Sequence, residues 1–172
     1  MTDTENQRAG FAAIIGAPNA GKSTLVNRLT GTKVSIVTQK VQTTRFPVRG
    51  IAIEGNAQIV LVDTPGIFTP RRRLDRAMVA SAWGGASDAD VVVHLIDAAS
   101  HIASEGKEGQ AADRRSAEDT ETIIANLKAS NTQVILALNK IDGMRRDTLL
   151  ALSHAMFETG VYSEVYMISA LS

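Results

Sequence analysis

The chain has 172 residues, 44% of them hydrophobic and 21% charged, with 18 Lys and Arg balancing 18 Asp and Glu; this suits one folded domain and excludes a disordered or fibrous chain. A formal net charge of zero excludes bulk electrostatic attraction to nucleic acid, so any RNA contact must be local. The absence of cysteine removes disulfide scaffolds, thiolate zinc sites and cysteine nucleophiles, and fits a reducing, cytoplasmic setting.

The first ten residues, MTDTENQRAG, form a polar tail without the apolar core of a signal peptide, and no apolar run is long enough for a membrane helix. Short apolar runs then recur at 11–15, 59–62, 91–96, 134–138 and 165–168. Near-continuous apolar runs are what a parallel sheet covered on both faces demands. Val48 to Glu54, followed by Gly55-Asn56, predicts a hairpin that adds one antiparallel strand. Helices are predicted over Lys22–Leu29, Leu74–Trp83, Ala117–Lys128 and Asp147–Glu158. The expected fold is therefore α/β, a mostly parallel six-stranded sheet with helices on both faces, occupying residues 11–172. Residues 32–47 and 99–116 read as polar loops, the second as a solvated surface linker longer than usual. His94 falls in a strand, His101 in the second loop and His154 in a helix, a scatter that argues against a metal site. The sequence stops at ISALS after the last expected strand, where such a fold lays one more helix, so a final helix is expected to be missing.

The strongest motif is GAPNAGKS, Gly16 to Ser23, which fits GxxxxGK[ST] between a strand and a helix. Gly16 and Gly21 let the backbone curl, so that the segment Gly16, Ala17, Pro18, Asn19, Ala20 and Gly21, with the NH groups of its non-proline residues and the start of the helix, surrounds a phosphate chain. Lys22 is the candidate for the terminal phosphates, Ser23 for Mg2+, and Thr24 extends the cradle. Asp63-Thr64-Pro65-Gly66 ends the third strand, with Asp63 placed to hold Mg2+ through water and Gly66 to sense a γ-phosphate through its NH. Asn139-Lys140-Ile141-Asp142 follows a later strand. The Asp142 carboxylate can accept from both the ring NH and the exocyclic amine of guanine, a donor pair adenine lacks, while Asn139 and Lys140 brace base and loop. Ser169-Ala170 is the candidate for the guanine carbonyl oxygen.

Taken in order, these elements resemble the five guanine-nucleotide motifs of translation-factor-type P-loop GTPases with a Ras-like G domain. GxPNxGKSTLxNxLxG at 16–31, QTTR at 42–45 and DTPG followed by an apolar residue are similar to the G domain of the Era-type bacterial GTPases. Tandem-domain Der GTPases and the tRNA-modification GTPase MnmE are the alternatives. The Era resemblance implies a GTP-dependent switch in small ribosomal subunit (30S) assembly and 16S rRNA maturation. It also implies an rRNA-gripping C-terminal KH domain, which none of these residues is read as, and peripheral membrane association of the full-length proteins.

Many GTPases orient the attacking water with a glutamine after DxxG; here the residue is Ile67, which predicts slow intrinsic turnover with Lys22, Thr44 and Gly66 as the catalytic set. Thr44 is the expected switch-loop ligand of Mg2+, with Thr43 the alternative. An asparagine at the position of Asn19 helps related GTPases hold K+, which makes Asn19 a candidate K+ ligand beside its plainer role of stabilising the loop. Arg71-Arg72-Arg73 is either a solvated face or a nucleotide-dependent contact with RNA or another domain. A nucleotide-binding module with negligible catalysis and a P-loop ATPase stand as rival functions, the second disfavoured by NKID.

Overall fold

The computed structural model describes residues 7–35, 37, 44, 46–107, 109–130, 132 and 134–171. The chain runs β1 (Arg8–Ile15), α1 (Lys22–Thr30), β2 (Val48–Glu54), β3 (Ala57–Asp63), α2 (Arg73–Ser87), β4 (Val91–Asp97), α3 (Ala98–Glu105), α4 (Ala111–Ala129), β5 (Val134–Asn139), α5 (Arg146–Phe157) and β6 (Tyr162–Met167). The six strands form one sheet in the order β2-β3-β1-β4-β5-β6. Only β2 runs antiparallel to its neighbour, and its turn at Gly55 has φ 55°, which the Gly-Asn pair supplies without strain.

The apolar runs do what their pattern requires: Ala13, Ile15, Val92, Ile96, Leu136 and Leu138 point to one face, and Ala12, Ile14, Leu61, Leu95 and Ala137 to the other. The first face is covered by α2, α4 and α5 through Ala82, Ala86, Ile123, Leu127, Leu149, Leu152 and Met156. The second is covered by α1 through Leu25 and Val26. At ~25 cal/mol per Å2 of apolar surface removed from water, this two-sided burial is the main term holding the sheet together.

Three expectations need correction. Strand β1 begins at Arg8, because Arg8 to Gly10 pair with Ala57 to Ile59; the polar tail therefore gives way to sheet before residue 11, and residues 1–6 lie outside the described residues. The 99–116 stretch is not a loop: it holds α3 and the first turns of α4, and His101 sits on a helix. Asp97 caps α3 by accepting from Ser100 N at 3.0 Å, and Asp113 caps α4 by accepting from Gln110 N at 2.9 Å. Only Ala98 of α3 is fully buried, and the helix is eight residues long and mostly Ala and Ser, too short for an apolar period to stand out, although its caps were present in the sequence. Helix α2 also runs past Trp83 to Ser87, through Gly84 and Gly85.

Candidate nucleotide-binding site

The parallel strands β1, β3, β4 and β5 end at Ile15, Asp63, Asp97 and Asn139. All the candidate motifs leave the sheet along this carboxyl-end edge, where open α/β sheets place their ligands.

The loop from Gly16 to Gly21 turns sharply out of β1 into α1. A Cβ on Gly16 would lie 2.3 Å from the carbonyl oxygen of Leu95, and one on Gly21, whose φ is 101°, would lie 2.3 Å from Asn139 Nδ2. Neither position admits a side chain, so the loop packs directly on β4 and β5. Ala17 and Ala20 are buried beneath it, Pro18 is half-buried and Asn19 is exposed. Lys22 folds back over the loop, and its Nζ donates to the carbonyls of Gly16 at 3.1 Å and Ala17 at 2.8 Å. Burial pushes this ammonium down to about 8, against an upward pull from Asp63 and a further downward push from Lys140. A desolvated cation at a helix N-terminus is well placed for a multiply charged anion.

Next to Lys22, three oxygen-bearing side chains from three separated segments converge. Ser23 Oγ donates to Asp63 Oδ2 at 2.7 Å, Thr44 Oγ1 donates to the same oxygen at 3.1 Å, and the two hydroxyls lie 3.1 Å apart. All three residues are buried. Asp63 Oδ1 is buried and has no hydrogen-bond partner among the described residues, an arrangement that costs free energy unless a cation or its water shell completes it. One carboxylate with two hydroxyls is the sparse hard-oxygen set that Mg2+ takes together with phosphates, so the residues present fit that ion. Of the QTTR segment only Thr44 is described; Gln42, Thr43 and Arg45 lie outside the described residues.

Beyond Asp63, Thr64 donates its hydroxyl to Ile14 O at 2.7 Å, and Pro65 and Gly66 are buried. A Cβ on Gly66 would approach Pro18 to 3.0 Å, and Ile67 N donates to Gly16 O at 3.0 Å. The DTPG turn is thus stitched onto the phosphate loop. Ile67 is buried in the larger core cluster, so its side chain faces inward as well as being apolar. Arg71, Arg72 and Arg73 are exposed at the start of α2, where Asp75 accepts from the backbone N–H groups of Arg71 and Arg72.

On the other side, Asn139 joins two loops: its Nδ2 donates to Ala20 O and its Oδ1 accepts from Ala170 N, both at 2.9 Å. Lys140 Nζ donates to Asn19 O at 2.7 Å, and Ser169 Oγ donates to Asp142 Oδ2 at 2.8 Å. Asp142 is exposed, as a group meeting a ligand edge should be. Thr24, which follows Ser23 on α1, is half-buried.

Sequence reasoning assigned no role to two residues. Asn27 holds the segment after α1, accepting from Val34 N and Ser35 N and donating to Ser35 O, all at 2.8 Å. Asp97 binds Lys140 Nζ at 2.7 Å; its signal was a carboxylate ending a buried strand in register with Asn139. His94 is fully buried, with Nδ1 2.8 Å from Tyr162 Oη, and burial lowers it to about 3. It is a neutral core histidine. Among the described residues no cluster of three His, Cys, Asp or Glu side chains could hold a metal, and no helix is long and apolar enough to cross a membrane.

Residues 11–140 match the family model described as 50S ribosome-binding GTPase. The chain is 68% identical over 171 residues to GTPase Era of Caulobacter vibrioides, covering 99% of this chain and 54% of that protein. Its structure is similar to that of Era in complex with MgGDPNP and nucleotides 1506–1542 of 16S ribosomal RNA, with TM-score 0.80 and 37% identity over 96% of this chain and 52% of the other. It is also similar to an Aquifex aeolicus Era variant bound to GDP and AlF4−, with TM-score 0.74 and 36% identity over the same shares. The chain spans about half the length of the curated relatives it matches. With the phosphate loop, the oxygen triad and the NKID loop on one sheet edge, the chain belongs to the 50S ribosome-binding GTPase family and is, over almost its whole length, a homologue of the Era GTPases.

Proposed function

We propose that this chain is a guanine-nucleotide switch that binds GTP with Mg2+ and hydrolyses it slowly to GDP and phosphate. The observation that carries the reading is Asn139, one buried side chain that ties the phosphate loop at Ala20 to the Ser169-Ala170 loop. It sets a cradle for phosphates and a carboxylate for a base, Asp142, on one rigid frame.

In this reading the backbone from Gly16 to Gly21 and the N-terminus of α1 take the phosphates, Lys22 neutralises their terminal charge, and Gly66 offers its NH to the γ-phosphate. Thr64 and Pro65 shape the turn that presents Gly66. Ser23, Thr44 and Asp63 would hold Mg2+, which supplies charge neutralisation between the β- and γ-phosphates. Asp142 accepts from the guanine edge, and Ser169 holds that carboxylate while the backbone at Ala170 meets the carbonyl oxygen. Since Ile67 points into the core, the water must be oriented by backbone at Thr44 or Gly66 or by a partner, and turnover is slow. Phosphate release from GTP, but not from ATP, over hours without a partner tests the activity; no release from GTP would leave a binding module in its place.

Two solved relatives carry MgGDPNP with a 16S rRNA fragment and GDP with AlF4−, which supports a role for this chain on the small ribosomal subunit. Nucleotide-dependent co-sedimentation with small subunits checks that role, and the exposed Arg71 to Arg73 run is the segment to neutralise in it. A finer element of the reading is K+ at Asn19, whose left-handed backbone (φ 63°) presents it at the rim of the phosphate loop. Hydrolysis should then run several-fold faster in K+ than in Na+; equal rates remove the ion.

A further inference from the structure

We propose that Asp97 is a positioning residue for nucleotide binding, acting through Lys140 on the phosphate loop; the inference rests on the guanine-nucleotide reading above. Asp97 closes β4 in register with Asn139, the residue before Lys140. Its side chain is 13% exposed, and each carboxylate oxygen has its own task. One accepts from Ser100 N at 3.0 Å and caps α3. The other meets Lys140 Nζ at 2.7 Å, and the same ammonium donates to Asn19 O at 2.7 Å.

This chain of contacts ends on an unusual backbone. Asn19 (φ 63°) and Lys140 (φ 61°) are the two non-glycine residues with positive φ among the described residues, and side-chain-bearing residues hold that conformation only where their surroundings enforce it. The Lys140 ammonium joins these two residues directly. It also repels Lys22, whose charge shares the loop, so a counter-charge on the β4 side keeps it aimed at Asn19 O. Asp97 is the group that supplies that counter-charge. Without it Lys140 has no fixed direction, Asn19 loses its tether, and the phosphate loop must be ordered by the nucleotide itself, at a cost in affinity.

The two tasks of Asp97 separate by substitution. Asp97→Asn keeps an oxygen for Ser100 N, since Asn caps helices as well as Asp, but removes the charge facing Lys140. Asp97→Glu keeps the charge and disturbs the cap. Stopped-flow displacement of a fluorescent GDP should show release about ten-fold faster for Asp97→Asn and within about two-fold of wild type for Asp97→Glu, each with its melting temperature recorded. A capping role alone predicts the reverse order, and that result overturns the inference. In a Lys140→Met background, Asp97→Asn should add nothing to the release rate; additive effects contradict action through Lys140. Wild-type protein that does not bind GDP would instead overturn the guanine-nucleotide reading itself.

Discussion

The two halves of the site are built on opposite principles. Around the NKID loop the polar side chains described find protein partners: Asn139 bridges Ala20 and Ala170, Asp97 meets Lys140 and Ser100, and Asp142 holds Ser169. Around the phosphate loop one buried oxygen is left short: Asp63 Oδ1 has no partner among the described residues, and Lys22, although it donates to the carbonyls of Gly16 and Ala17, is desolvated with its ammonium lowered to about 8. On the proposed reading the NKID side is a preformed template for the base, and the phosphate side stores electrostatic cost that a triphosphate with its cation would relieve. Specificity belongs to the half that is satisfied beforehand, and binding energy to the half that is not.

The strongest way to break this contrast is Lys22→Met. Loss of this buried ammonium should lower single-turnover GTP hydrolysis by about 1000-fold. The same substitution should stabilise the nucleotide-free protein. Because burial depresses the folded value from 10.5 to about 8, the unfolded chain holds more protons between those two values, and wild-type stability rises with pH across that window. Lys22→Met should abolish the rise and raise stability below pH 8 by on the order of 3 kcal/mol, read from melting curves against pH. A substitution that slowed hydrolysis and also destabilised the apo protein would show that the phosphate half stores no such cost.

Asp142→Asn addresses the preformed half. Replacing an acceptor-only carboxylate by an amide should weaken GDP by at least about 100-fold and favour xanthosine diphosphate, whose base carbonyl can accept where guanine donates. Competition between the two nucleotides measures it, and melting should hardly change because Asp142 is exposed. A smaller effect is expected from Thr44→Ala, which removes one of the two hydroxyls on Asp63. GDP affinity should stay within about two-fold while hydrolysis falls by about ten-fold or more; unchanged turnover would take Thr44 out of the oxygen set.

How much of this could be read from the residues divides along the same line. The sheet, its antiparallel edge hairpin and the five motifs follow from apolar runs and from short motifs whose chemistry is local: a glycine loop before a helix, a carboxylate ending a strand. Helix α3 and the start of α4 were missed because they bury few side chains fully and their apolar residues are nearly all alanine, leaving their caps as the clearest signals. Asp97 and Asn27 were missed because each matters through residues far away in sequence or through backbone groups: Lys140 for one, Val34 and Ser35 for the other. The inward orientation of Ile67 was equally out of reach, since an apolar residue after DTPG can face either the core or the ligand. Contacts made by register and by tertiary return of the chain leave no pattern in a single sequence.

The central claim is that a guanine-selecting template and a charge-storing phosphate cradle share one frame through Asn139. A calorimetric titration of this chain with GDP and, separately, with ADP in the presence of Mg2+ tests it most directly. The account predicts tight binding of GDP and none of ADP; equal binding of the two, or binding of neither, would contradict it.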